Sequence, residues 1–92
     1  MFEEQVGKAF RLLLADGPAL DFVLVEARKL SLRQAAAAPR SEPFSLVFLG
    51  PARPVLAQRI YSLENEALGR LEIFLVPIGA DSGGVKYEAI FN

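Results

Sequence analysis

Three short stretches of this chain hold residues whose types and spacing could do chemistry. Glu64 and Glu66 flank Asn65, and Asp81 and Ser82 follow Gly79 within a Gly-rich stretch. Oxygen ligands so placed can hold Ca²⁺ or Mg²⁺, yet neither stretch has the spacing of an EF-hand loop and each equally describes a solvated turn. Gly79 and Gly84 have the separation of a phosphate loop, but Val85 stands where lysine is required and Lys86 falls one place late. No hydroxyl follows, the next residues alternate like a strand, and Asp81 would repel a phosphate. Arg53, Arg59, Tyr61 and Tyr87 are polar-tipped residues of the kinds that anchor protein interfaces, though each also suits a strand rim or a loop.

What is missing narrows the chemistry further. The chain has no histidine and no cysteine, so no Ser/His/Asp or Cys/His relay can be built and zinc, copper and haem lack their usual ligands. No disulfide framework exists, which fits a reducing compartment. Ten Lys and Arg against eleven Asp and Glu give a net charge of −1, without the cation surplus that nucleic-acid phosphates demand. No apolar run is long enough for a membrane-spanning helix, and the opening residues, Met1-Phe2-Glu3-Glu4-Gln5, are acidic where a signal peptide would be basic. The expectation is a cytoplasmic, non-enzymatic protein with no metal, no cofactor, no nucleic acid and no membrane partner. An enzyme confined to carboxylates and lysine is the remaining catalytic class.

The elements that must position these residues are short. The 92 residues form a single β domain, 1–92, with 52% hydrophobic residues and seven Phe, enough for one core that buries roughly 60–65% of the unfolded surface. Lys8 to Ala15 alternates, with Phe10, Leu12 and Leu14 on one face. Asp16-Gly17-Pro18 makes a turn. From Ala19 to Leu30, Leu20, Phe22 and Leu24 face one way and Val23, Val25 and Ala27 the other. Ser31 to Pro43 is bracketed by prolines and shows no helical face, so a loop with one helical turn is expected there. Alternation returns at Phe44 to Gly50, in Gln58 to Glu64, in Arg70 to Gly79, and in Val85 to Asn92. Phe2 to Phe10 offers one short helix that Gly7 would end. The sum is an all-β antiparallel sandwich or small open barrel of about six strands with a short N-terminal helix.

Arg70 to Gly79 is apolar on both faces: Leu71, Ile73 and Leu75 point one way, and Phe74, Val76 and Ile78 the other. Such a strand expects cover on both sides, one from the core and the other from the N-terminal helix, a loop or another subunit. Phe10, Phe22, Leu24, Phe44, Leu46, Phe48, Leu71, Ile73, Leu75 and Phe91 are the expected core. The candidate interface is Phe74, Val76, Ile78, Arg59, Tyr61 and Tyr87, with Val85 to Asn92 placed at a sheet edge. Two functions follow. One is an interaction or assembly module acting through apolar β surface, either self-associating as a dimer or docking on another protein. The other is a small-ligand-binding β domain with a cavity among Phe22, Phe44, Phe74 and Tyr87.

From Pro43 onward the chain resembles a group of small bacterial proteins carrying a domain of unknown function. The matching residues are Pro43-Phe44-Ser45-Leu46, Phe48-Leu49-Gly50-Pro51, Gln58-Arg59-Ile60-Tyr61, Leu68-Gly69, Phe74-Leu75-Val76-Pro77-Ile78-Gly79 and Tyr87-Glu88-Ala89-Ile90-Phe91-Asn92. Relatives in that group often carry histidine where Asn65 stands. The resemblance implies no catalytic residue, and it implies a place beside phage-tail-like fibre or collar proteins.

Overall fold

A computed structural model of the chain describes residues 2–15, 17–29 and 44–91. The expected loop at Ser31 to Pro43 lies outside the described residues, as do Asp16 and Asn92. Six antiparallel strands run in chain order: β1 (Ala9–Leu13), β2 (Leu20–Lys29), β3 (Phe44–Gly50), β4 (Arg59–Asn65), β5 (Gly69–Asp81) and β6 (Gly84–Phe91). They close into a barrel in the spatial order β1-β2-β3-β6-β5-β4. The sandwich and the open barrel expected from alternation are thereby corrected to a closed barrel. The expected N-terminal helix is a single 3₁₀ turn, Glu3–Gln5. Gly7, at φ 89°, then redirects the chain into β1.

Closure rests on a short ladder between β1 and β4, Arg11↔Glu64, Leu12↔Leu63 and Leu13↔Ser62. Charges alternate across that closure. Arg11 lies between Asp21 on β2 and Glu64 on β4, and Glu64 in turn faces Arg70 on β5. A one-residue slip would break this sequence of opposite charges as well as turn the apolar set outward.

The barrel is filled by side chains. Phe10↔Phe22 and Phe48↔Tyr87 are cross-strand pairs, and their rings also meet across the interior, Phe10 with Phe48 at 5.2 Å and Phe22 with Tyr87 at 5.2 Å. Leu63 of β4 and Ile73 and Leu75 of β5 complete the interior from the opposite wall. Of the expected core, Phe44, Leu71 and Phe91 are only partly buried and pack against this cluster. Phe44 and Phe91 stack at 4.8 Å, and Phe2 leans on both at 5.8 and 5.9 Å. The N-terminal segment therefore caps one end of the barrel rather than the outer face of β5, and Val6 stays exposed.

Two bulges reset the alternation. Between Leu24 and Glu26 the β2–β3 register shifts, so Ala27 turns inward opposite Leu46 and joins the face of Leu24, correcting its assignment to the face of Val23. Between Pro77 and Gly79 the β5–β6 register shifts. Proline cannot donate to a ladder, and a bulge is where strands tolerate it.

β3 and β4 stand on opposite sides of the ring, so the connector between them, residues 51–58, crosses a barrel end. It can sit low there because Gly50 and Gly84 remove side-chain bulk from the rim. A Cβ on Gly50 would lie 2.6 Å from the Phe22 ring, and one on Gly84, whose φ is 135°, would lie 2.1 Å from the Gly50 carbonyl oxygen. Phe22 has no room to retreat, being fully buried and packed on Tyr87. Gly50→Ala should cost about 1–3 kcal/mol of overpacking. Gly79→Ala, where a Cβ meets nothing within 4 Å, should change stability by less than about 0.5 kcal/mol. Urea unfolding of the two variants measures the contrast, and equal midpoints would refute the close approach.

Candidate functional site

The candidate interface residues separate into two groups. Ile60 on β4 and Phe74 on β5 are cross-strand partners on the outer wall, and they are 62% and 50% exposed. Ile78, at the β5 bulge, is 51% exposed, Val76 is half-buried, and Arg59 is exposed at the rim. The outer face of β4 and β5 thus presents Ile60, Phe74, Val76 and Ile78 as neighbours along two strands, with Ser62, Glu64, Arg70 and Glu72 continuing the wall. Ile60 was not among the sequence candidates. Its place opposite Phe74 becomes visible only once the β4–β5 register is known.

Tyr61 and Tyr87 are corrected. Both point into the barrel, at 8% and 1% exposure, and each pins the connector across the barrel end. The Tyr87 hydroxyl accepts from the Leu56 backbone N–H at 2.9 Å in a buried bond. The Tyr61 hydroxyl donates to the Ala57 carbonyl at 2.7 Å. Leu56 is thereby drawn into the core. Alternation along β4 and β6 places both tyrosines beside Leu63 and Val85, a reason to read them as interior that their polar tips obscured. Val85 to Asn92 was expected at a sheet edge. β6 instead pairs with β3 over its length and with β5 as far as Val76↔Glu88.

Asn65 is a structural node that sequence reading passed over. Its Oδ1 accepts from the Ala67 and Leu68 N–H groups at 2.8 and 2.9 Å, and its Nδ2 donates to the Ala9 carbonyl at 3.2 Å and to Gln5 Oε1 at 3.3 Å. One amide therefore shapes the β4–β5 turn and ties it to the start of β1. The Asn-Glu-Ala-Leu-Gly stretch carried the signal, since Asn side chains accept from backbone N–H groups two and three residues on. Glu64 and Glu66 lie beside this node on an open groove of about 730 Å³ lined also by Gln5, Lys8, Arg11 and Arg70. Asp81 is occupied in its own turn, with Oδ1 accepting from Gly83 N–H at 2.7 Å.

The four rings named as lining a ligand cavity do not meet around one. Phe22 and Tyr87 are in contact inside, Phe44 stacks on Phe91 at one end, and Phe74 is on the outside.

Burial raises the Tyr61 pKa above its ordinary value of 10.0, with the nearby Arg59 charge pulling the other way. The neutral hydroxyl is therefore the form that folding favours. Its contribution to stability is complete below pH 10 and is lost as pH rises through the higher value of the folded state. Tyr61→Phe should flatten that alkaline loss in unfolding free energy measured from pH 8 to 11. Tyr87→Phe should cost about 1–3 kcal/mol by leaving the Leu56 N–H buried without a partner. An alkaline slope identical in Tyr61→Phe and the parent chain would contradict this assignment.

Among the described residues no helix is long and apolar enough to cross a membrane. No curated protein and no solved structure matches the chain. A family model described as a domain of unknown function, DUF6916, matches residues 1–91. The chain belongs to that family.

Proposed function

We propose that this domain is a non-enzymatic interaction or assembly module working through the apolar outer surface of β4 and β5. The observation that carries the reading is the Ile60–Phe74 pair. These two large apolar side chains face each other across a ladder and both stand half or more exposed, with Val76 and Ile78 continuing the same wall. Contiguous exposed apolar surface on a small domain marks a contact site, whereas scattered single residues need no explanation. The interior gives complementary support, because its rings are in mutual contact and leave the outside as the working surface. The bacterial group that the motifs resemble suggests a role accessory to a phage-tail-like or fibre assembly, and a chain without cysteine suits the cytoplasm.

A second reading, small-ligand binding, is favoured by the groove beside Asn65, whose volume falls within the usual range for ligand sites. Its charged lining would suit a polar, charged ligand rather than the apolar one expected of a ring-lined cavity.

Ile60→Lys/Phe74→Lys places two charges on the wall without touching the interior. Light scattering after gel filtration, over a range of concentrations, should show association by the parent chain and none by the variant. Affinity capture with both chains as bait extends the comparison to foreign partners. Associations indistinguishable between the two chains would sink the reading.

A further inference from the structure

Among the described residues, the barrel wall is not paired along its whole height. The β5–β6 ladder runs from Asp81↔Gly84 to Val76↔Glu88 and stops there. Below that point, among the described residues, Gly69 to Leu75 pair with β4 alone and Ala89 to Phe91 with β3 alone. Among the described residues, the remaining backbone hydrogen bonds of turns and caps involve neither stretch. Among the described residues nothing pairs with the β6-facing edge of β5 from Gly69 to Leu75, which is exposed at Gly69, Arg70, Glu72 and Phe74 and closed to solvent at Ile73 and Leu75, with Ile90, 56% exposed, across the gap. Unpaired backbone along a strand edge recruits another strand.

We propose that a second copy of this chain pairs with this edge, β5 against β5, antiparallel about a twofold axis at Leu71. The choice of occupant comes from charge. About that axis Arg70 of one copy faces the partner's Glu72, and its Glu72 faces the partner's Arg70. Gly69 faces the partner's Ile73, and Leu71 meets its own counterpart. Both charged side chains are exposed on the outer wall, and the Ser62 hydroxyl, donating to Glu72 Oε2 at 2.6 Å, holds that carboxylate in position. Twofold pairing is self-complementary by construction, and this register turns every facing charge into an opposite pair. Moving the axis to Glu72 would set two carboxylates against each other. This inference rests on the β4–β5 surface being an interface and names its partner and geometry.

The test is a charge exchange read by sedimentation equilibrium. Glu72→Arg and Arg70→Glu, each setting like charges face to face twice per dimer, should weaken association roughly tenfold. The double variant Arg70→Glu/Glu72→Arg should recover most of that loss. Far-UV circular dichroism confirms that each variant keeps the barrel, since Arg70 also faces Glu64 within the chain. Amide exchange in the unaltered protein supplies a readout free of substitutions. Amides on the Gly69–Leu75 edge should exchange more slowly as concentration rises. A monomer at high micromolar concentration, association indifferent to either reversal, or exchange independent of concentration would each overturn the proposal. Association that ignores the charges yet is lost in Ile60→Lys/Phe74→Lys overturns this pairing alone and leaves the apolar wall as an interface.

Discussion

The short β1–β4 ladder is what turns a six-stranded sheet into a barrel, and most other features of the structure follow from it. Once Leu12 and Leu63 face each other across that seam, the inward side chains of all six strands share one interior. There is then no second apolar layer for an outer face to pack on. The connector from β3 must reach a strand on the far side of the ring, so it crosses the barrel end and needs anchors there. Tyr87 and Tyr61 supply them. The same crossing requires a rim without side chains, which Gly50 and Gly84 provide. Closure also fixes where function can sit: a small barrel filled by its own rings works from its surface, its ends or its seams.

The segments that resemble a known group take on a physical meaning in this geometry. Phe48-Leu49-Gly50-Pro51 ends β3 with an interior ring and the glycine beneath Phe22. Gln58-Arg59-Ile60-Tyr61 opens β4 with the connector anchor. Leu68-Gly69 closes the turn that Asn65 organises, and Phe74-Leu75-Val76-Pro77-Ile78-Gly79 contains the β5 bulge. Many of these are positions that build the barrel. Arg59, Ile60, Phe74, Val76 and Ile78 are among the exceptions, since their side chains lie on the outer wall or rim and not in the interior.

Strand positions were legible in the sequence because alternation is a local property, and all six strands fall where it predicts them within a residue or two at most ends. The two-faced character of Arg70 to Gly79 was legible for the same reason. Closure was not, because it depends on the β1–β4 pairing between distant segments and on a β3–β4 crossing that no local pattern encodes. The bulge beside Val25 reversed the face of Ala27 through one unpaired residue, which strict alternation cannot anticipate. Their polar tips suggest a binding patch or a strand rim for Tyr61 and Tyr87, yet each hydroxyl meets a backbone partner that only the folded connector brings near. Ile60 was overlooked because its significance lies in its cross-strand partner.

The outer wall of β4 and β5 is the working surface proposed for this domain. A dilution series of ¹H–¹⁵N correlation spectra tests it residue by residue without altering the chain. Amide shifts that change with concentration should concentrate in Ile60 to Glu64 and Gly69 to Ile78, leaving β2 and the Gln5–Arg11 side of the groove unmoved. Shifts confined to the groove, or spectra identical from dilute to concentrated protein, would contradict self-association through that wall.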